Sequence, residues 1–402
     1  MTVPAPFESI PDLGYVPEQM PAYVIRPERF GPPLEVLQQE MMPMWDIAPD
    51  EVLVLVMAAG VNYNCIWAGL GKPVDILKSH GLDFHIPGSD ASGVVWKVGS
   101  AVRDWKVGDH VVMHCNHLVE PGASDKQTIW GYETPDGSMA QLCRVQAQQL
   151  LPKAPDLTWE EAASYGLVYF TAHRMLMDRA EIEAGEDVLV WGGAGGLGVF
   201  GVQLCKVAGC RAIAVVSSEE KAKLAMDVGA HGTINRKEFP DLQYRPGEDE
   251  EQKARRMAAT KAFGKRIREI LGQPKSVEVV FEHVGRSTFA ASVWLAANHG
   301  RIVICGATTG YDLTFDVRHL WMRQKRIVGS HFADADSSRR ANRLIERGLV
   351  KPVMTECFDW AEVPQAHQKM YENKITGTVS CLVSAPRRGL KNLEETRAAF
   401  NS

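Results

Sequence analysis

The sequence predicts an α/β protein of two domains, one built on a doubly wound parallel sheet and the other a smaller, strongly bent β-rich unit. Three observations carry that expectation. At 402 residues the chain exceeds what a single hydrophobic core usually organises. From Ala22 to about Leu151 it reads as short strands broken by Gly, Pro and Asp. From residue 187 strands and helices alternate, at 187–192, 197–208, 211–216, 219–228, 277–281, 286–297 and 300–305, as parallel βαβ units require. The domains are placed at 1–165, completed by 331–402, and at 166–330.

Taken in order, residues 1–22 are Pro-rich and polar and are expected as an arm over the surface. Glu51-Val-Leu-Val-Leu-Val-Met57, Ala91-Ser-Gly-Val-Val-Trp-Lys-Val98 and His110-Val-Val-Met-His-Cys115 are the clearest strands of the first unit. Thr158-Trp-Glu-Glu161 is a capping box, and the spacing predicts one helix from there through Ala172-His-Arg-Met175. The stretch 240–270 interrupts the βα rhythm with Pro240, Pro246 and the acidic run Glu248–Glu251, followed by a basic helix. A solvated helix face accounts for most of those charges; oligomer contacts or an anionic ligand are the other use such an insertion can have. After Arg326-Ile-Val-Gly-Ser-His331 come a helix over Ser337–Gly348, a strand and a short return segment.

Composition excludes several classes. Apolar content of 45% and charged content of 23% are those of an ordinary globular protein, and a net charge of −5 disfavours nucleic acid as a partner. No run approaches the ~20 apolar residues of a membrane span. Met1-Thr-Val-Pro-Ala-Pro-Phe-Glu8 has neither the basic region nor the apolar core of a signal peptide. The eight cysteines are scattered and form no CxxC, so they read as reduced, buried hydrophobes. A cytoplasmic enzyme without membrane or nucleic-acid partners is expected.

The most informative stretch is Val188-Leu-Val-Trp-Gly-Gly-Ala-Gly-Gly-Leu-Gly-Val199. A β-branched strand runs into Gly193-x-Gly195-x-x-Gly198 and a helix follows at once. Glycines let the backbone approach a pyrophosphate, and the fresh helix N-terminus offers it unpaired N–H groups. Gly193, Gly195, Gly196, Leu197 and Gly198 are therefore candidate dinucleotide-binding residues, and the second domain reads as a Rossmann unit. Its second strand, Arg211–Val216, ends at Ser217 and Ser218, where an NAD enzyme usually places an acid for the ribose 2′-OH. With Lys221 in the following helix and Arg236 after Gly232-Thr-Ile-Asn235, these residues suit a 2′-phosphate and so NADPH. Either cation alone reads as an ordinary surface charge; the pair, without the acid, favours NADPH.

A β-domain of this kind, with the turn Lys106-Val-Gly-Asp-His-Val111, followed by a dinucleotide domain resembles the medium-chain dehydrogenase/reductase superfamily, whose β-rich catalytic domain is GroES-like. Where zinc alcohol dehydrogenases of that superfamily hold metal with Cys and His, this chain has Asn64 and Ser89, both poor zinc ligands. No metal is expected. Without a Lewis acid, the reaction left is hydride delivery to an activated C=C bond of a quinone, enone or enoyl thioester.

Within the superfamily the chain is similar, from about Ala22 onward, to the crotonyl-CoA carboxylase/reductases, also called enoyl-CoA carboxylase/reductases. The similarity rests on Val61-Asn-Tyr-Asn64, His85-Ile-Pro-Gly-Ser-Asp90, Ile129-Trp-Gly-Tyr-Glu133, Leu157-Thr-Trp-Glu-Glu-Ala162, Phe263-Gly-Lys-Arg-Ile-Arg268, Val280-Phe-Glu-His283, Leu320-Trp-Met322 and Lys325-Arg-Ile-Val-Gly-Ser-His-Phe-Ala333. The resemblance implies NADPH-dependent reduction of a 2,3-enoyl-CoA, with the enolate trapped by CO2 to give an alkylmalonyl-CoA such as ethylmalonyl-CoA. It implies a CO2 pocket of Asn64, Tyr132, Glu133 and His331, and a homotetramer built as a dimer of dimers. Each of the four alone has a plainer use, in a turn, on the surface or in the core.

Arg318, Arg323, Lys325 and Arg326 can pair with CoA phosphates or be a solvated basic turn, and are left unassigned. The loops between Val74 and Phe84 and between Leu118 and Gln127 are shorter than the family's, so an acyl chain larger or smaller than crotonyl also fits. Two alternatives stand beside this reading: a non-carboxylating NADPH-dependent enoyl-CoA or quinone reductase, and a dinucleotide-binding protein that has lost catalysis.

Overall fold

The computed structural model describes residues 9–120 and 126–401. The chain divides into two compact units, residues 1–170 with 333–402, and residues 171–332.

The first unit is organised by the strand Glu51–Gly60, whose residues are almost continuously buried. Its side chains alternate with the pleat. Val52, Val54 and Val56 enter one core cluster, while Leu53, Leu55 and Met57 enter another on the opposite face. Around it a seven-stranded sheet runs Met354–Phe358, Thr378–Leu382, Glu51–Gly60, Ala91–Val98, His110–Met113 and Leu150–Pro152, with Leu142–Gln146 also paired to Glu51–Gly60. The C-terminal segment thus supplies two strands to this sheet.

The N-terminal stretch departs from a surface arm. Gln19–Val24 is a strand paired antiparallel with Gln38–Pro43, and Met20 and Ala22 are fully buried. Five consecutive residues of the strand are buried, and Pro21, which an edge strand tolerates, masks it in the sequence. Residues 1–8 of the expected arm, and 121–125 of the shortened second loop, lie outside the described residues; the first loop carries the short helix Ile76–His80.

The helix expected from Thr158 to Met175 is two. The capping box forms as read, with Thr158 accepting from the Glu161 N–H and Glu161 reaching back to Thr158. The helix stops at Ala163 and a second begins at Val168, continuing as a π-helical turn over Arg174–Arg179. Between them Gly166 lies against the Met113 carbonyl, and the Leu167 N–H donates to the Asp90 carboxylate at 3.0 Å instead of to a helical carbonyl. A glycine in a helical pattern here marks close packing.

The second unit holds a six-stranded parallel sheet in the order Gly232–Asn235, Arg211–Val216, Asp187–Val190, Val277–Glu282, Ala296–Ile304 and Arg326–Gly329. This is the Rossmann order, in which the winding direction reverses between the first and fourth strands. The reversal falls between Asp187–Val190 and Val277–Glu282, so the crevice that binds ligands in such sheets opens beyond Val190 and Glu282. The interrupting stretch contributes a long helix, Glu250–Leu271, which buries Phe263, Ile267 and Leu271 in this unit's core.

A methyl group at Gly166 would sit 2.4 Å from the Met113 carbonyl oxygen and 2.7 Å from Asp90 Cβ. Gly166→Ala is expected to lower the unfolding free energy by about 1–3 kcal/mol. Urea denaturation checks this, and an unchanged midpoint would contradict the packing described.

Candidate active site

The dinucleotide turn is assembled by backbone contacts that only glycine allows. An added Cβ on Gly198 would lie 2.2 Å from the Gly192 carbonyl oxygen, and one on Gly193 would lie 2.5 Å from Ala214 Cβ. The first helix turn is therefore pressed onto the strand end. Gly193 N–H donates to Val215 O at 3.0 Å, tying the turn to the neighbouring strand. Gly195 is the N-cap of the helix Gly196–Val207, and a Cβ there would meet nothing closer than 3.4 Å. The N–H groups of Gly196, Leu197 and Gly198 belong to the first turn, which has no intrahelical acceptors. This is a cradle for an anion at a helix N-terminus.

On the far side of the strand Arg211–Val216, Ser217 is half-buried and Ser218 caps the helix Glu219–Asp227, accepting from the Lys221 N–H at 3.3 Å. Capping uses an oxygen lone pair of Ser218 and leaves its O–H as a donor. The Lys221 ammonium is held below its ordinary pKa, first by burial and then by the nearby charges of Arg236 and Lys237, with Glu220 opposing. Three cations thus converge at the end of the second strand. Sequence reasoning missed Lys237, although it adjoins Arg236. Like charges gathered this way raise each other's energy, and an anion relieves the cost. The residues fit a 2′-phosphate.

In the other unit the helix Tyr63–Leu70 presents Asn64, a residue only 6% exposed. Asn64 Nδ2 donates to Ser89 Oγ at 2.8 Å, and Ser89 is fully buried. Two residues before Asn64 and one after Ser89, Asn62 Nδ2 donates to Asp90 Oδ1 at 2.7 Å. The segment 85–90 lies against the turn that carries Tyr132 and Glu133. Gly131 takes a left-handed φ of +70°, and a Cβ on it would fall 1.8 Å from the Gly88 carbonyl oxygen. The Tyr132 hydroxyl donates at 3.3 Å to the carbonyl of Lys72, just beyond the helix that holds Asn64. Glu133 Oε2 accepts from the Ile129 N–H at 2.7 Å, which fixes the carboxylate on its own turn.

Asn64, Tyr132 and Glu133 are therefore linked within one unit through Ser89, Gly88 and Lys72. His331 belongs to the other unit, where it is exposed just past the strand Arg326–Gly329, its ring 4.4 Å from that of Phe332. Sequence reasoning quoted Ser89 only as a replaced ligand and passed over Asn62 and Asp90. Burial pushes the Asp90 carboxyl up to about 7. Their signal was present, since Asn62 and Asp90 flank Asn64 and Ser89 within the strings already singled out. Among the described residues, no group of three or more His, Cys, Asp or Glu side chains is placed to hold a metal ion. Lys325, one of the unassigned cations, spends its ammonium on the Val293 and Trp294 carbonyls, and burial lowers it to about 8.

Residues 48–156 match the profile of the alcohol dehydrogenase GroES-like domain, and residues 196–347 that of zinc-binding dehydrogenase. Over 97% of its length the chain is 48% identical to the crotonyl-CoA carboxylase/reductase of Cereibacter sphaeroides, of which it covers 94%. A solved crotonyl-CoA carboxylase/reductase superposes with a TM-score of 0.92 at 48% identity, covering 98% of this chain and 95% of that one. A 2-octenoyl-CoA carboxylase reductase solved with NADP and 2-octenoyl-CoA gives 0.89 at 36% identity, with coverage of 96% and 93%.

Replacing both Lys221 and Arg236 by Ala is expected to raise KM for NADPH by about 10- to 100-fold, the loss of one or two charge-assisted contacts, with little change for NADH. Steady-state kinetics with both cofactors checks this. An equal rise for the two would place the cations away from the 2′-phosphate.

Proposed function

The chain belongs to the crotonyl-CoA carboxylase/reductase family, and from that premise we infer that it carries out the NADPH-dependent reductive carboxylation of a 2,3-enoyl-CoA of the crotonyl type. The product is an alkylmalonyl-CoA such as ethylmalonyl-CoA. The observation that carries the reading is near-full-length similarity to carboxylating relatives, together with a buried amide, Asn64, at a position where zinc relatives need a thiolate.

Bound NADPH supplies the hydride that reaches Cβ of the enoyl thioester. Negative charge then rests on Cα and the thioester oxygen, and the protein's task is to keep protons away while CO2 waits beside Cα. Asn64 suits that task. One of its two N–H bonds is used by Ser89, which fixes the plane of the amide and leaves the second to donate to a CO2 oxygen. An amide is no acid near neutral pH, so the same group that holds CO2 cannot quench the enolate. Tyr132, buried and anchored to the Lys72 carbonyl, walls the pocket. In this proposal Glu133 and His331 orient a water over the pocket, and carboxylation gains from proximity instead of acid–base help.

The assembly proposed is a homotetramer formed as a dimer of dimers. In its support, Arg326–Gly329 is an edge strand with one neighbour in its sheet, and Trp321 and Met322 close to it in sequence are 63% and 62% exposed. An open edge beside exposed apolar side chains asks for a cover. A cytoplasmic location is also proposed. All eight cysteines are free, and no described helix is long and apolar enough to cross a membrane.

Asn64→Leu is expected to keep NADPH oxidation while shifting the product from alkylmalonyl-CoA toward the saturated thioester, and His331→Asn to do so more mildly. Mass spectrometry of the products made with bicarbonate and carbonic anhydrase reads the ratio. Equal loss of both products in Asn64→Leu would rule out a role in holding CO2.

A further inference from the structure

Asp90 is a carboxylate 1% exposed, and the reaction as described makes no use of it. It is held from several sides. Oδ1 accepts from Asn62 Nδ2 at 2.7 Å, and Oδ2 accepts from the Leu167 N–H at 3.0 Å. Its backbone carbonyl accepts from the Ser138 hydroxyl at 2.8 Å and from the Gly60 N–H at 3.3 Å. Two glycines clear the space it fills: a Cβ on Gly60 would fall 2.3 Å from Oδ1, and one on Gly166 would fall 2.7 Å from the Asp90 Cβ.

What the carboxylate joins is the support of the CO2 pocket. Asn62 occupies the N-cap position of the helix that carries Asn64 two residues later, and Ser89, the partner of Asn64, precedes Asp90 in the chain. Leu167 immediately precedes the helix Val168–His173 that follows the break at Gly166. We propose that Asp90 is a positioning residue for carboxylation, clamping Asn62 and Leu167 so that Asn64 and Ser89 keep the geometry in which Asn64 offers its free N–H to CO2. The inference rests on the reading of Asn64 as the group that holds CO2.

Both partners of the carboxylate are donors, so the clamp needs its ionised form. A protonated Asp90 must itself donate: the Leu167 N–H cannot accept, and Asn62 accepts only by turning its amide over. Burial pushes the carboxyl up to about 7, with only the Leu167 N–H and Asn62 amide drawing it back. The other titratable groups facing it are the thiols of Cys65, on the helix of Asn64, and Cys115, both raised by burial and so neutral. The sign follows. As pH falls through about 7 the clamp loosens, and carboxylation should lose ground to simple reduction. Because the folded-state value is raised, the fold itself gains stability over the same fall, which separates positioning from stability.

The test is the ratio of alkylmalonyl-CoA to saturated thioester from crotonyl-CoA and NADPH at constant dissolved CO2, measured from about one pH unit above to about one below 7. Wild type is expected to lose ratio as pH falls. Asp90→Ala should lower the ratio by about 10- to 100-fold. Asp90→Asn, which like the protonated acid meets both partners only if Asn62 turns its amide over, should hold the ratio near the wild type's low-pH value at every pH. Asn62→Ala removes one arm of the clamp, and should lower the ratio even if Asp90→Ala does not fold. A wild-type ratio in Asp90→Ala or in Asn62→Ala, whether or not total turnover falls, overturns this inference alone. A wild-type enzyme that makes no carboxylated product overturns the reading of Asn64 and this inference with it.

Discussion

Main chain pressed against main chain is the constraint on which both sites depend. At the cofactor turn, the contact of Gly198 with the Gly192 carbonyl brings the helix N-terminus to the end of the first strand. In the other unit, the contact of Gly131 with Gly88 brings the Tyr132–Glu133 turn to the segment that carries Ser89 and Asp90. Neither approach tolerates a single methyl group. Side chains then need only short reach: an amide to a hydroxyl, a carboxylate to an amide, a phenol to a carbonyl.

The two sites meet opposite electrostatic demands. The nucleotide side gathers Lys221, Arg236 and Lys237, whose mutual repulsion is suited to a bound phosphate. On the Asn64 side the group proposed to meet CO2 is a neutral amide backed by the Ser89 hydroxyl, while the Asp90 carboxylate is taken up by the Asn62 amide and the Leu167 N–H. Satisfying those groups matters because an unpaired buried polar group costs about 1–3 kcal/mol. A carbanion awaiting CO2 is served by surroundings that hold hydrogen bonds without releasing protons, and Asn64 on Ser89 has that character.

Much of the fold was legible because its signals are local. The alternation from residue 187 became a parallel sheet in Rossmann order, and the Thr158–Glu161 box capped a helix as read. What escaped depends on partners distant in the chain. The strand Gln19–Val24 is defined by pairing with Gln38–Pro43 and by burial of Met20, which Pro21 and polar neighbours obscure. The helix break at Gly166 comes from the Met113 carbonyl and Asp90, about 50 and 80 residues away by their numbers. Asn64 and Ser89 could be named from their strings, but their mutual hydrogen bond, and the parallel bond of Asn62 to Asp90, exist only once two segments are brought side by side. Ser218 shows the converse: a hydroxyl singled out for the cofactor also caps the helix that presents Lys221.

The roles proposed for Asn64, Tyr132, Glu133 and His331 all require that a carbon–carbon bond is made. Wild-type protein given crotonyl-CoA, NADPH, carbonic anhydrase and 13C-labelled bicarbonate should yield ethylmalonyl-CoA carrying one label, in step with NADPH consumed. Butyryl-CoA without label, formed at the same rate whether or not bicarbonate is present, would show a reductase that leaves CO2 untouched and would contradict the roles given to Asn64, Tyr132, Glu133 and His331.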